Sequence, residues 1–205
     1  MVGLPNRDRR SERREATRQE ILAAAWEVAR VNGIAGLTLR EVAVRVGMQP
    51  PSLYSHFDSK HAIYDAMFAQ AWRQLADAIT AAEKGAPRSP RRRLEYFTRV
   101  FVDFALEEPS RNQLMNVRVI PDFTPSPDSY RAAVEAFELM RGKLREIGVT
   151  RDRDMDLLTA LTAGLIAQQE ANDPGGDRWR RLIPDALTMY ANAVGIPGGN
   201  PGRKR

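Results

Sequence analysis

The chain has 205 residues, which is enough for one or two small domains. Hydrophobic residues make up 43% and charged residues 28%, so a packed core is expected and general disorder is excluded. The absence of cysteine and the presence of only two histidines exclude disulfides, thiol chemistry and histidine-rich metal sites. The sequence shows no bilayer-spanning apolar run and no signal-peptide core, so we expect a soluble cytoplasmic protein without metal or cofactor.

The basic residues exceed the acidic residues only modestly. Lys and Arg total 31 against 26 Asp and Glu, a formal net charge of +5. Most of the cations are arginine, which binds phosphate and guanine edges through two hydrogen bonds. An arginine-rich genome would produce the same bias, so composition gives nucleic acid only a slight preference. Residues 1–15 carry several arginines without apolar periodicity, which predicts a flexible basic arm.

Capping and turn residues divide the next part of the chain into short helices. A hydroxyl followed three residues later by a carboxylate, as in residues 17–20 and 38–41, predicts two helix starts. Gly33 and Gly47 predict the ends of those two helices, because glycine adopts the left-handed conformation there. Prolines at residues 50–51 suit the first turn of a third helix. Two short helices joined at Gly47 are typical of a helix-turn-helix.

The rest of the chain is also predicted to be helical. Helical spacing of apolar residues, with glycines and prolines between the segments, gives six further helices. Their expected ranges are 60–82, 91–106, 113–119, 130–147, 154–172 and 179–194. No stretch alternates as a strand would, so the sequence predicts an all-α protein of about nine helices.

The stretch from Gly33 to Ala43, then Val46-Gly47-Met48, then Leu53 to Lys60, resembles the tetracycline-repressor (TetR) family of bacterial regulators. Residues 104–109, followed by Leu114-Met115, are similar to some of that family's C-terminal domains. The resemblance implies a three-helix N-terminal helix-turn-helix DNA-binding domain and a helical C-terminal domain for ligand binding and dimerisation. We expect the DNA-binding domain at 16–62, the effector-binding and dimerisation domain at 63–195 and a flexible tail at 196–205.

In a helix-turn-helix, the first turn of the second short helix meets base edges in the major groove. Gln49 could pair with adenine, and Arg40 could pair with guanine. By similarity to the family, Lys60 would bind a phosphate. The predicted DNA-binding residues are Thr38, Arg40, Gln49, Pro50, Pro51, Ser52, Tyr54, Ser55, His56 and Lys60. Many members place Ser-x-Gly or Ser-x-Ala where this chain has Gln49-Pro50-Pro51-Ser52, so the family's operator sequences cannot be transferred.

The resemblance also implies an inducer cavity among the middle helices and a four-helix interface formed by the last two helices of each subunit. The predicted ligand-binding residues are Tyr64, Phe68, Trp72, Phe97, Phe101, Phe104, Met115, Arg118, Phe137 and Gln168. The predicted dimer-interface residues are Leu157, Leu161, Gly164, Leu165, Ile183, Leu187 and Tyr190. Any single aromatic residue in the first set could instead be ordinary core, and both terminal helices could be buried within a monomer.

These features predict a homodimeric transcriptional repressor that binds a palindromic operator and is released by a small, largely apolar molecule. The alternative is a helix-turn-helix protein controlled by a protein partner, or one without any inducer. We expect no enzyme, because the sequence lacks cysteine, a metal-ligand cluster and a histidine among the predicted pocket residues. The basic arm would either follow the minor groove or remain a solvated tail.

Overall fold

The structure is a computed structural model and describes residues 9–198. Within this range the chain forms nine α-helices, joined by loops and two 3₁₀ turns, and it forms no strand, as the sequence predicts. The helices are α1 Arg9–Asn32, α2 Leu39–Val46, α3 Pro50–Leu53, α4 Lys60–Ala82, α5 Pro90–Glu107, α6 Pro109–Asn116, α7 Pro127–Arg145, α8 Asp152–Asn172 and α9 Ile183–Val194. No helix in the described range is both long and apolar enough to cross a membrane.

Helices α1, α2 and α3 pack around a small apolar centre. Leu37, Leu53 and Phe57 are buried there against the inner face of α1. An α3 of only four residues has no stability by itself, so these contacts must hold it in place.

Helix α4 connects this N-terminal unit to the rest of the molecule. Its first turns bury Ile63, Tyr64 and Met67 in the same core as α1 and α2. The Tyr64 hydroxyl donates to the backbone oxygen of Ile34 at 2.8 Å. The same core continues through α4 to α5, α6 and α7, so no break in packing marks the predicted boundary between residues 62 and 63.

A second apolar core lies at the other end of the molecule. It is formed by α5, α8, α9 and the end of α7, with Leu94, Ile183 and Ile166 among its buried side chains. Phe101 and Met140 pack against both cores. Helices α4, α5, α7 and α8 therefore enclose the middle of the molecule.

Three predicted boundaries were wrong. Helix α1 begins at Arg9, so Thr17 lies inside a helix and does not cap one, and residues 9–15 of the predicted arm are helical. The rest of that arm, residues 1–8, lies outside the described residues. Helix α6 begins at Pro109 and not at residue 113 as predicted, because proline suits the first turn of a helix. In the predicted tail, Ile196 is buried in the second core, and residues 199–205 lie outside the described range.

Candidate functional site

The turn between α2 and α3 has the geometry that the sequence predicts. The Thr38 hydroxyl accepts a hydrogen bond from the backbone N–H of Glu41 at 3.3 Å and donates to the Glu41 carboxylate at 2.6 Å. Hydrogen bonds from Thr38 and Asn32, together with the charge of Arg45, lower the pKa of Glu41. Gly47 ends α2 in the left-handed conformation, with φ at 72°. The two short helices are therefore fixed by a cap at one end and a glycine turn at the other.

Helix α3 presents a polar and partly apolar outer side. Its first two residues are Pro50 and Pro51, and Gln49 precedes them without capping the helix through its side chain. Gln49, Pro51 and Ser52 are exposed, and the Tyr54 side chain is 51% exposed. On the inner side, Leu53 and Phe57 are buried. The first turn of α3 is therefore accessible to a groove, while its other side anchors it to α1.

The remaining predicted contact residues surround this turn. Thr38, Arg40 and Ser55 are exposed, while Pro50, His56 and Lys60 are half-buried. Arg40 forms no ion pair with another residue in the range 9–198. The Lys60 ammonium donates to the backbone oxygen of Leu37 at 3.2 Å and lies 5.4 Å from the Tyr64 ring centroid. An ammonium has three donors, so the Leu37 bond leaves Lys60 able to bind a phosphate as well.

Two arginines of α1 position the turn after α3, and sequence reasoning missed both. Arg14 donates to the backbone oxygen of Ser55 at 3.1 Å, and Arg18 donates to the backbone oxygen of His56. The Arg18 guanidinium also stacks 4.1 Å from the Phe57 ring centroid. Their spacing of four residues, in register with buried Leu22, is the signal that could have identified them, because positions four apart share a helix face.

An apolar cavity of about 200 Å³ lies in the middle of the molecule. Its walls come from α4, α5, α7 and α8, together with Asn116 at the end of α6. Four of the predicted ligand-binding residues line it: Trp72, Phe97, Phe101 and Phe137. Phe137 is 47% exposed, which places the cavity close to the surface along α7.

The other predicted ligand-binding residues lie elsewhere. Phe68, Met115 and Arg118 border a separate space of about 240 Å³ beside the loop before α7. Tyr64 is fully buried in the first core, where its hydroxyl is already bonded.

Phe104 and Gln168 are also outside the apolar cavity. Phe104 is covered by the Arg111 guanidinium, 3.6 Å from the ring centroid. Gln168 is exposed and accepts a hydrogen bond from Asn172 at 2.7 Å. Apolar periodicity predicted which aromatic residues would be shielded from water, but it could not separate core positions from cavity walls.

Helices α8 and α9 each expose small or apolar side chains. On α8 the exposed residues include Leu157, which is 43% exposed, and Gly164; on α9 they include Met189, which is 73% exposed. The predicted interface residues Leu161 and Leu165 of α8 are half-buried.

Three other predicted interface residues point inward. Ile183, Leu187 and Tyr190 are buried in the second core, so including them in an exposed interface was wrong. The Tyr190 hydroxyl donates to the backbone oxygen of Asp154 at 2.9 Å, and burial raises the pKa of Tyr190 to about 12. An apolar stripe on a terminal helix does not reveal whether its partner is the same chain or a second one.

Comparison with known proteins identifies the N-terminal part of the chain. Residues 21–67 match the family model described as bacterial regulatory proteins, tetR family. The chain is 29% identical over 93 residues to an uncharacterized HTH-type transcriptional regulator, YobS of Bacillus subtilis (strain 168), covering 45% of this chain and 48% of that protein. It is 42% identical over 50 residues to the tetracycline repressor protein class C of Escherichia coli, covering 24% of this chain and 23% of the repressor. The chain thus spans about half or less of these curated relatives.

The fold of the whole chain is also found among solved structures. A bacterial regulatory protein in the tetR family from Rhodococcus RHA1 superimposes with a TM-score of 0.65 at 19% sequence identity. The match covers 89% of this chain and 98% of that protein. At this identity the likeness concerns the fold, and it extends the similarity beyond the residues of the family match.

Proposed function

We propose that this chain, whose N-terminal domain belongs to the tetR family of bacterial regulatory proteins, is a sequence-specific DNA-binding transcriptional regulator. It acts as a repressor that leaves its operator when a small, largely apolar ligand binds. The observation that carries this proposal is the accessible first turn of α3, between the exposed Arg40 and the half-buried Lys60, within the residues that match the family.

The proposed division of labour on DNA follows from side-chain chemistry. Gln49 and Arg40 read base edges, because a primary amide suits adenine and a guanidinium suits guanine. Lys60, through its ammonium, and Thr38, through its backbone N–H, contact the phosphate backbone, which positions the protein without reading sequence. The hydroxyl protons of Thr38 and Ser55 are already donated to the Glu41 carboxylate and to the backbone oxygen of Ser52. The remaining six predicted residues complete the surface that faces the groove: Pro50, Pro51, Ser52, Tyr54, Ser55 and His56. The ring edges of the two prolines suit thymine methyl groups.

The proposed active form is a homodimer. One helix-turn-helix contacts few bases, and two copies would read half-sites about 34–36 Å apart or farther. The exposed residues of α8 and α9, including Leu157, Gly164 and Met189, supply the interface, because small residues there let helices approach closely. A palindromic operator follows from the two-fold symmetry of such a pair.

Helix α4 is the proposed link between ligand and DNA. Trp72, Leu75 and Ile79 of α4 line the cavity, and Lys60 begins the same helix beside α3. Twelve residues separate Lys60 from Trp72, about 18 Å along a helix. A ligand that favours one position of α4 over another would change the separation of the two α3 helices in a dimer.

The alternative regulator, controlled by a protein partner or without an inducer, needs no internal space. The apolar cavity of about 200 Å³ favours control by a small molecule over this alternative.

The first experiment selects binding sites from fragmented genomic DNA with the purified protein, without any added small molecule. We expect enrichment of an inverted repeat at moderate salt. Recovery of random fragments only would refute the regulator assignment.

The second experiment measures the affinity of Lys60→Ala for the selected site at several salt concentrations. Loss of one phosphate contact should reduce the slope of log K against log salt by about 0.9. Lys84→Ala is the matched control, since Lys84 is exposed beyond the end of α4. A thermal melt of each variant detects any effect of losing the bond to Leu37. An unchanged slope in a folded Lys60→Ala protein would remove the phosphate role.

A further inference from the structure

The apolar cavity is small and partly open to solvent along α7. Its volume is about 200 Å³. A dry engineered cavity of roughly 150 Å³ binds benzene, and pockets for drug-sized ligands span roughly 300–1,000 Å³. The cavity therefore suits one six-membered ring with a short substituent. The rings of Phe97, Phe101 and Phe137 line it, which favours a flat apolar body.

Two buried hydrogen-bond donors belong to residues that line the cavity. The indole Nε1 of Trp72 and the guanidinium Nε of Arg141 are shielded from solvent and have no acceptor among the described residues. Both nitrogens can only donate. A buried donor without an acceptor is costly, so a ligand that supplies an acceptor relieves that cost.

Three other polar side chains of the wall already donate a hydrogen bond, whereas the Thr98 hydroxyl forms none with the described residues. The Thr159 hydroxyl donates to the backbone oxygen of Met155 at 2.9 Å, and the Thr162 hydroxyl donates to that of Leu158 at 2.9 Å. The Asn116 amide donates to the Asn112 side chain at 3.0 Å. The atoms of the lining residues that are both buried and unpaired are therefore the two nitrogen donors of Trp72 and Arg141, which require an acceptor.

The charge of Arg141 is already balanced. Its guanidinium forms ion pairs with Glu138, at 3.6 Å, and with Asp152. Glu138 also lies 3.9 Å from Arg145, so two cations face two carboxylates in this group. A ligand carboxylate would therefore bring an uncompensated negative charge into an apolar space, with a desolvation cost that a neutral acceptor avoids.

We infer that the ligand is an uncharged single-ring compound with a carbonyl oxygen, and that this oxygen accepts a hydrogen bond from Trp72 Nε1. The inference rests on the proposed function, because it names the ligand class of the same cavity. The ring occupies the apolar space, and the carbonyl oxygen meets the indole donor that the protein leaves unpaired.

The test compares three probes of similar size against the purified full-length protein. Acetophenone carries a neutral carbonyl, benzoate carries a carboxylate and ethylbenzene has no acceptor. Titration calorimetry and tryptophan fluorescence measure each affinity. We expect acetophenone to bind most tightly. Equal or tighter binding of benzoate or ethylbenzene, or no binding of any probe, would overturn the inference.

Two variants locate the site and its donor. Trp72→Phe keeps an aromatic ring but removes the indole donor, so acetophenone affinity should fall about 3- to 10-fold while ethylbenzene affinity stays unchanged. Ala136→Leu fills the cavity, because Ala136 is buried and lines it, and should abolish binding of both probes. Thermal melts of both variants exclude unfolding as the cause. Unchanged acetophenone affinity in either folded variant would overturn the inference.

A DNA-release assay separates this inference from the proposed function. If acetophenone binds as expected but leaves the operator complex intact, the ligand class stands and ligand-controlled repression fails. If another compound releases DNA equally well from Trp72→Phe and the unmodified protein, ligand control stands and the inferred donor role fails.

Discussion

A single carboxylate on α4 fixes the start of α7. Asp65 accepts hydrogen bonds from the backbone N–H of Ser126 at 2.7 Å, from the Ser126 hydroxyl at 2.8 Å and from the Ser129 hydroxyl at 2.7 Å. Ser126 is the N-cap of α7, so the carboxylate also faces the positive end of that helix. Ser129 is buried, and its hydroxyl depends on this contact.

Asp65→Ala should therefore destabilise the protein. A hydrogen bond to a charged group contributes roughly 1.5–3 kcal/mol, but the three bonds share one partly buried acceptor and are not additive. We expect a loss of about 2–4 kcal/mol in the free energy of unfolding, which lowers Tm by about 4–16 °C at this chain length. Asp65→Asn, which keeps one acceptor oxygen, should lie between the two proteins.

Urea unfolding followed by circular dichroism measures this loss, with Asp77→Ala as the matched control. Asp77 is an exposed aspartate on the same helix and forms no ion pair with a residue in the described range, so its replacement removes the same charge without these contacts. If Asp65→Ala and Asp77→Ala differ by less than about 0.5 kcal/mol, which is within the range of ordinary surface substitutions, the reasoning is refuted.

Three further changes test other parts of the molecule. Leu157→Arg should convert dimers to monomers in sedimentation velocity, because it places a charge on the exposed surface of α8 and α9, whereas Val134→Arg, on an exposed position of α7, should not. Persistent dimers in Leu157→Arg would move the interface elsewhere. Arg40→Ala should relax preference at one base pair of the selected site by about 1–3 kcal/mol, and a uniform loss across site variants would show that Arg40 reads no base. Burial raises the pKa of Glu170, so its carboxylate makes folding less favourable as pH rises through that range. Glu170→Gln should therefore have the higher Tm at pH 7, with the difference disappearing near pH 4, and equal melting temperatures at pH 7 would contradict this.

Much of the fold follows from local signals in the sequence. The Thr38 capping box, the Gly47 turn and the prolines at residues 50–51 each determine a backbone conformation within a few residues, and the structure confirms all three. Such features depend on groups that are adjacent in the chain, so no knowledge of tertiary packing is needed to predict them.

The errors arose where distant parts of the chain decide the outcome. A capping box at Thr17 is locally plausible, but Arg14 and Arg18 gain partners at residues 55–57 only if the helix continues back towards Arg9. Ile183 has the same apolar character whether a second subunit or the chain's own core covers it. Apolar periodicity identifies a helix face that must be buried, and only the tertiary arrangement shows which residues bury it.

The cavity was predicted only in part, for the same reason. The positions of Trp72 and Phe97 on apolar faces indicate burial, and both line the space. Arg141 was not among the predicted ligand residues, because its sequence position resembles that of an ordinary surface cation. Its pairing with Asp152 requires the end of α7 to lie beside the start of α8, which sequence spacing does not reveal.

The core that runs through α4 has a consequence for how regulators of this architecture could diversify. In a chimera joined at residue 62, Tyr64 and Met67 would pack against side chains from another protein. A joint farther along α4 would in the same way replace the side chains that pack between α4 and α7. Exchange of whole helix-turn-helix units between related regulators is therefore a poor route to the recognition of new operators. Under the proposed function, substitution at exposed positions such as Gln49 or Arg40 would alter recognition at little cost to folding, so new specificities should arise mainly by that path.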